Sequence, residues 1–203
     1  MMKRIIVSLG AALLIAFGAG QALADNSIAG KVGVTGRIGF VVPADSDFGS
    51  PALTVETDPG FNFGGGLIYG IDRNFAAELD ITRTEFGSNL TNDNNFGDFE
   101  IINIALGGQY RFLISQSNVT PYVGAGLNVL VSSLERNGND YDIDTTLGVY
   151  GAGGVDYFLT KQVALNAEAR VVIAPEADIE GGGGGNFDPS HFSGMFGVRF
   201  FFH

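Results

Sequence analysis

Cysteine and tryptophan are absent from the 203 residues, histidine occurs twice, and Lys and Arg together number only eleven. Without cysteine there is no disulfide framework and no lipid-anchored N-terminal cysteine. Two histidines, His191 and His203, do not make a metal cluster of the usual kind, so no metal and no cofactor is expected. Eleven basic residues against 22 acidic ones give a net charge of −11, a poor surface for nucleic acid, which wants clustered Lys and Arg. No stretch beyond the N-terminus reaches 18 consecutive apolar residues, so no transmembrane helix is expected there. Phosphate loops are missing too. Gly64-Gly65-Gly66 has no helix after it, Gly181–Gly185 reads as a flexible loop tip, and nothing matches a Gly-Lys-Ser/Thr pattern.

The N-terminus supplies an address. Lys3 and Arg4 precede an apolar run from Ile5 to Gly18, and Ala22-Leu23-Ala24 provides the small-x-small pattern of a cleavage site. The expected processing therefore removes residues 1–24 as a secretory signal peptide. The mature chain would be a single domain, residues 25–203, with nine basic residues against 22 acidic ones.

What is abundant is glycine (31), phenylalanine (17) and alternation of apolar with polar residues. Side chains two apart share a face of a strand. Eight segments carry the pattern: 31–42, 61–70, 75–84, 102–112, 121–131, 147–159, 163–173 and 192–202. Each is long enough to cross a bilayer as a tilted strand, which takes about 9–11 residues. One face is apolar throughout, as in Val32, Val34, Gly36, Ile38, Phe40 and Val42, and its only charge is Arg83 at a strand end. The opposite face carries Lys31, Arg37, Arg111, Arg170 and Arg199 with Glu78, Asp80, Asp156 and Glu168. Asn62, Asn103, Gln109, Asn128 and Asn166 join them.

Alternation alone does not say which face is inside. Three features point the apolar face outward. Connections alternate short (71–74, 113–118, 160–162) and long (43–60, 87–101, 132–146, 174–191), as periplasmic turns and external loops do. Aromatics gather at the strand ends in two girdles: Tyr69, Phe75, Tyr110, Phe112, Tyr157, Phe200 and Phe202 near the short turns, and Phe40, Phe61, Phe63 and Phe192 at the other end. A soluble barrel would also need many more charges outside. The expected fold is all-β, an eight-stranded antiparallel up-and-down transmembrane barrel in the outer membrane of a Gram-negative bacterium. Closure satisfies every backbone group where water is absent. The nearly balanced charges would then face the lumen as a selectivity set, where they must pair or stay hydrated.

The chain ends Gly197-Val198-Arg199-Phe200-Phe201-Phe202-His203, and Gly197, Phe200 and Phe202 resemble the C-terminal insertion signal of outer-membrane barrels, from which His203 departs. Gly36-Arg37-Ile38-Gly39-Phe40-Val41-Val42-Pro43, Val119-Thr120-Pro121-Tyr122-Val123-Gly124-Ala125-Gly126-Leu127-Asn128, Gly154-Val155-Asp156-Tyr157-Phe158-Leu159 and Asp188-Pro189 resemble the OmpW family of small outer-membrane barrels. The wider group of OmpA-like eight-stranded barrels is the broader match. The resemblance implies a narrow channel or receptor for passive passage of small solutes, hydrophobic ones included. The family's aromatic lumen includes tryptophan, which this chain lacks.

Two alternatives follow for the lumen. Inward glycines (Gly33, Gly39, Gly64, Gly66, Gly107, Gly124, Gly126, Gly148, Gly154, Gly197) could leave a thin polar passage, or the charges plug the space and the glycines serve curvature. In the second case the protein is a structural or adhesive surface barrel acting through its acidic external loops. Those loops hold fifteen Asp and Glu, from Asp45 to Asp188, against Arg136 alone. Solvation explains most of this charge, although divalent cations, cationic solutes or lipopolysaccharide phosphates bridged by metal ions would also suit it. Asp140-x-Asp142-x-Asp144 fails as a calcium loop, with Thr145 and Gly151 where Gly and Glu are needed. His191-Phe192-Ser193 resembles the His-x-Ser of outer-membrane lipid A deacylases, but only ten residues follow Ser193 and none is acidic. No enzyme activity is expected. The expected partners are outer-membrane lipid and lipopolysaccharide, the barrel-assembly machinery during insertion and a small-molecule solute, with the barrel a monomer.

Overall fold

The computed structural model describes residues 26–43, 46–47, 54–57, 60–90, 94–136, 139–175, 177–178, 186–187 and 189–202. Residues 1–24, expected to form a signal peptide, the Gly181–Gly185 stretch and His203 lie outside them. Eight long strands follow in chain order: β1 (Val32–Pro43), β2 (Gly60–Gly70), β3 (Phe75–Leu90), β4 (Asn94–Arg111), β5 (Val119–Arg136), β6 (Asn139–Phe158), β7 (Val163–Ile173) and β8 (His191–Phe202). Each pairs antiparallel with its neighbours in sequence, and β8 closes on β1 through twelve residue pairs from Val32↔Phe202 to Pro43↔His191. The sheet is a closed up-and-down barrel. Following the register from Val41 through Ser193, Arg170, Ala152, Gly124, Gln109, Ala76 and Gly70 returns to β1 at Lys31, ten residues lower. That stagger tilts the strands by about 40°, as closure of eight strands requires.

The turns at one end follow from their residues. In Ile71–Asn74 the Asp72 carboxylate accepts hydrogen bonds from the Asn74 and Phe75 amides at 2.8 and 2.7 Å. Thr160 Oγ1 accepts from the Gln162 and Val163 amides at 3.2 and 3.0 Å. Such side-chain turns satisfy backbone donors that a tight reversal would otherwise strand.

Four strands run beyond their expected ends. β3 continues to Leu90, β4 begins at Asn94, β5 continues to Arg136 and β6 begins at Asn139. The pairing there links Glu85↔Glu100, Asp98↔Glu135 and Glu135↔Asp140. Short strands 54–57, paired with the end of β3, and 46–47 extend this wall, and 177–178 pairs with 186–187. Among the described residues, β3–β6 therefore run longer than β7, β8, β1 and β2. The extensions carry few alternating apolar residues because they stand above the apolar band, where no lipid selects for them.

Exposure alternates along each strand in the predicted sense. Ile38, Phe196 and Leu147 are 59%, 63% and 70% exposed, whereas Arg111, Asp156 and Arg199 are fully buried. The apolar face is outside and the charged face inside. At the short-turn rim Phe75, Tyr110 and Phe112 stack edge-on in sequence at 5.1 and 5.0 Å. Phe200 and Phe202, outward on β8 beside that rim, meet at 4.9 Å. At the other rim Phe40 lies 6.5 Å from Phe192, and Phe61 stacks on Phe63 at 6.0 Å. Phe196 sits midway between the two belts. Phe196→Arg should cost about 2–4 kcal/mol of stability in bilayers, the depth-dependent penalty for a cation at the midplane of a barrel. The same change at Phe202, at headgroup level, should cost about 1 kcal/mol or less. Urea titrations of both variants in vesicles check the contrast.

Candidate functional site

Inward-facing charges are gathered by six of the eight strands. Arg37 comes from β1, Glu78 and Asp80 from β3, Arg111 from β4, Asp156 from β6, Glu168 and Arg170 from β7, and Arg199 from β8. β5 contributes Tyr122. β2 contributes no charge but leaves room, since Gly66 faces Asp80 where a Cβ would lie 2.2 Å from Oδ1.

The four arginines and four carboxylates form one connected network. Arg199 bridges Glu78 Oε1 at 2.7 Å and Asp156 Oδ2 at 2.8 Å. Arg37 pairs with Glu78 and, at 2.8 Å, with Asp80 Oδ2, and lies 3.6 Å from Glu168 Oε1. Arg170 joins Asp80 Oδ2 and Glu168 Oε1, both at 2.8 Å, and Arg111 holds Asp156 Oδ2 at 2.7 Å. Neutral groups complete the set. Gln109 donates to Glu78 Oε2 at 2.6 Å, Asn166 donates to Asp156 Oδ1 at 2.8 Å, and Tyr122 donates to Glu168 Oε2 at 2.8 Å. The Tyr122 ring lies 5.0 Å from the Arg199 guanidinium and 5.8 Å from that of Arg111, while Tyr150 lies 4.4 Å from Arg170. Each arginine thus answers one or more carboxylates at charge-assisted distances.

These contacts cross the barrel from β1 and β8 to β3 and from β3 to β7, so the network spans the lumen rather than lining it. The inward glycines are the spaces into which it packs. A Cβ on Gly154 would sit 2.4 Å from the Tyr122 ring and hydroxyl, and one on Gly107 2.2 Å from the Tyr150 hydroxyl. A Cβ on Gly197 would lie 2.8 Å from Arg37 Cγ. At this level, paired side chains cross the lumen between the two walls. Beyond permitting curvature, the glycines make room for the large neighbours.

Of the lumen residues expected from sequence, eight come together and Lys31 does not. Lys31 precedes β1 at the short-turn mouth, half-buried, and has no ion pair among the described residues. Gly197, Phe200 and Phe202, expected to form an insertion signal, sit on β8 as alternation requires, the two rings on the outer face. Tyr122 and Tyr150 were missed. Their inward parity amid polar neighbours, legible from the period of two, was the available signal. Arg83, the one charge expected on the outer face of the eight segments, pairs with Glu85 at 3.0 Å and Glu100 at 2.8 Å, both beyond those segments.

On either side of the network the lumen changes character. Toward the long loops the buried inward residues just above the network are uncharged among the described side chains: Val41, Leu130, Val172 and Met195 beside Asn62, Asn103, Asn128, His191 and Ser193. Asn128 donates to Asn103 Oδ1 at 2.9 Å. His191 Nδ1 lies 2.9 Å from the Pro189 carbonyl oxygen, and no carboxylate hydrogen-bonds its ring among the described residues, so the orienting group that a His–Ser pair needs is not in place. Toward the short turns an apolar cluster takes over: Ile28, Ile68, Ala76, Phe158, Ala164 and Phe201.

A closed eight-stranded sheet, apolar outside, charged inside and ringed by aromatics at both rims, defines a transmembrane β-barrel. The chain belongs to the family of outer membrane protein beta-barrel domains, which matches residues 9–200. The resemblance to small outer-membrane barrels read from the sequence holds at that level. No curated protein matches the chain. Among solved structures, outer membrane protein OprG from Pseudomonas aeruginosa aligns with a TM-score of 0.74 at 20% identity, over 89% of this chain and 99% of that one. Neisserial surface protein A aligns with a TM-score of 0.63 at 21% identity, over 86% and 98%. Outer membrane protein AlkL, solved in DMPC bilayers, aligns with a TM-score of 0.59 at 15% identity, over 92% and 95%. At these identities the likeness concerns the fold.

Proposed function

We propose that this protein is a plugged barrel of the Gram-negative outer membrane that acts at its extracellular end and holds no standing aqueous pore. The observation that carries this reading is the buried Arg–carboxylate network spanning the lumen, in which every arginine is ion-paired. An ion crossing it would have to break contacts such as Arg199–Asp156 at 2.8 Å and Arg111–Asp156 at 2.7 Å in a low-dielectric interior. Above the plug stands the tall acidic wall of β3–β6, where the register sets Asp98, Glu135 and Asp140 side by side. Its partners in this reading are lipopolysaccharide and surface ligands outside, and the assembly machinery during insertion. The barrel works as a monomer without a cofactor and is not an enzyme.

A second reading, passive passage of small solutes, is favoured by the uncharged, partly apolar lining above the plug. Val41, Leu130, Val172 and Met195 suit a small amphipathic molecule better than an ion. The plug is also not saturated, because Arg37, Arg111 and Arg199 each keep Nε without a partner in the protein. Planar-bilayer recording separates the two readings. The wild-type barrel should be silent, and Arg111→Glu, which sets a carboxylate against Asp156, should give discrete steps or fail to fold. Discrete wild-type steps that change in Arg111→Lys would overturn the plugged reading.

A further inference from the structure

The segment just before β1 turns back beneath the barrel and enters it. Ile28, only 1% exposed, inserts among Ile68, Phe158 and Phe201 in the apolar cluster. Phe158 and Phe201 stack there at 5.8 Å, and Ala76 and Ala164 complete the seat without competing for volume. Polar contacts hold the segment on both sides of Ile28. Asn26 donates through Nδ2 to the Ser117 carbonyl in the β4–β5 turn. The Gly30 amide donates to the Gly70 carbonyl at 2.7 Å, and the Gly70 amide donates to the Lys31 carbonyl at 3.0 Å. Ala29 forms an isolated bridge with Gly70. Gly30 takes φ of 71°, a left-handed turn that glycine reaches without cost and that redirects the strap into β1. Gly70 is required by the strap itself, since a Cβ there would lie 1.9 Å from the Ile28 carbonyl oxygen and 3.0 Å from Ile28 Cγ1.

We infer that residues 26–31 form a periplasmic strap that corks the lumen with Ile28, a closure separate from the charge plug above it, and that release of the strap exposes an apolar mouth at the short-turn end. Three features argue for a detachable cork rather than another turn of the wall. The strap contributes no ladder beyond one bridge. Its apolar content is one inserted side chain. Its anchors join three different places: the β4–β5 turn, the end of β2 and the interior.

The natural absence of cysteine provides the test. A single cysteine placed by Ala76→Cys or Ala164→Cys lies under Ile28, and its labelling by a membrane-impermeant maleimide is timed in vesicle-reconstituted barrels with the short-turn end accessible. With the native strap both sites should label slowly. Ile28→Asp should accelerate labelling by roughly ten- to a hundredfold, the equivalent of losing one buried isoleucine from the closed state. Gly70→Ala, which alters no strap residue, should accelerate it similarly. Heat-modifiable gel mobility confirms that each barrel is folded, and the two variants back each other should one fail to assemble. Rapid labelling with the native strap in place would overturn the inference. So would unchanged protection in folded barrels carrying either variant.

Discussion

Arg199→Met should lower the stability of the barrel by about 3–5 kcal/mol, the cost of breaking a buried ion pair by removing one partner. Arg199 is fully buried and contacts both Glu78 and Asp156 directly. Methionine fills much of its volume but leaves three arginines facing four carboxylates. Glu78 keeps Arg37 and Gln109, and Asp156 keeps Arg111 and Asn166, so neither is stripped bare; the deficit is one charge shared across the lumen. Arg199→Lys retains the charge but loses the two-pronged reach, and should fall between the wild type and Arg199→Met. Adding Glu78→Gln to Arg199→Met restores the balance and should recover about 1 kcal/mol or more, which a double-mutant cycle would show as coupling. Urea midpoints in vesicles, followed by far-UV circular dichroism and gel mobility, give the numbers. Because the pairs are buried, raising the salt should leave the differences nearly unchanged. Loss of less than about 1 kcal/mol would place Arg199 among solvated pairs, and the plug would not be one.

The sequence foretold the barrel well, for a physical reason. Within the apolar band each strand must show lipid one residue and the lumen the next, so the period of two was written plainly in β1, β2, β7 and β8, whose observed ends lie within a residue of those expected. Above the band that constraint lapses. The upper ends of β3–β6 are rich in Asn, Asp, Gly and Ser and lack a sustained apolar alternation, and they read as loops although they pair as strands. Parity also placed Arg37, Glu78, Asp80, Arg111, Asp156, Glu168, Arg170 and Arg199 on one face. It could not say that they would meet, because contact across a lumen depends on the stagger of the register, which no single strand records. Lys31 shows the limit. It has the right parity but lies beyond the last turn of pairing, at the mouth. The strap was illegible for a related reason, since a lone Ile28 between polar residues carries no period at all.

The charge network and the strap divide the lumen by chemistry. An uncharged outer cup, a paired ionic middle and an apolar floor succeed one another from the long loops to the short turns. In the plugged reading proposed above, a polar solute would meet its barrier at the floor and an apolar one in the middle, and neither would cross the resting barrel along its axis. That reading leaves the acidic wall and the outer cup as the parts of the molecule available to a ligand.

Two neighbouring glycines on β6 give the sharpest check on whether the lumen is filled. Gly153→Ala should be neutral or stabilising by about 0.4–1 kcal/mol, because a methyl there points into open space on the lipid side and restricts the unfolded chain. Gly154→Ala should cost about 1–3 kcal/mol, the range for forcing extra volume into a packed interior. Its methyl would fall 2.4 Å from the ring and hydroxyl of Tyr122, and 2.7 Å from the Ala167 carbonyl oxygen. Tyr122 cannot simply swing away, because its hydroxyl is held by Glu168 at 2.8 Å and by Asn166 at 2.9 Å, and its ring lies over Arg199. Tyr122→Phe removes those two hydrogen bonds, and in that background the added penalty of Gly154→Ala should shrink as the ring becomes free to shift. Unfolding titrations of the four barrels measure this directly. If Gly154→Ala is tolerated as well as Gly153→Ala, then space remains beside Tyr122, the glycines belong to a passage, and the case for an open lumen returns. If the two diverge as expected, the glycines of the inner wall are the imprint of the plug.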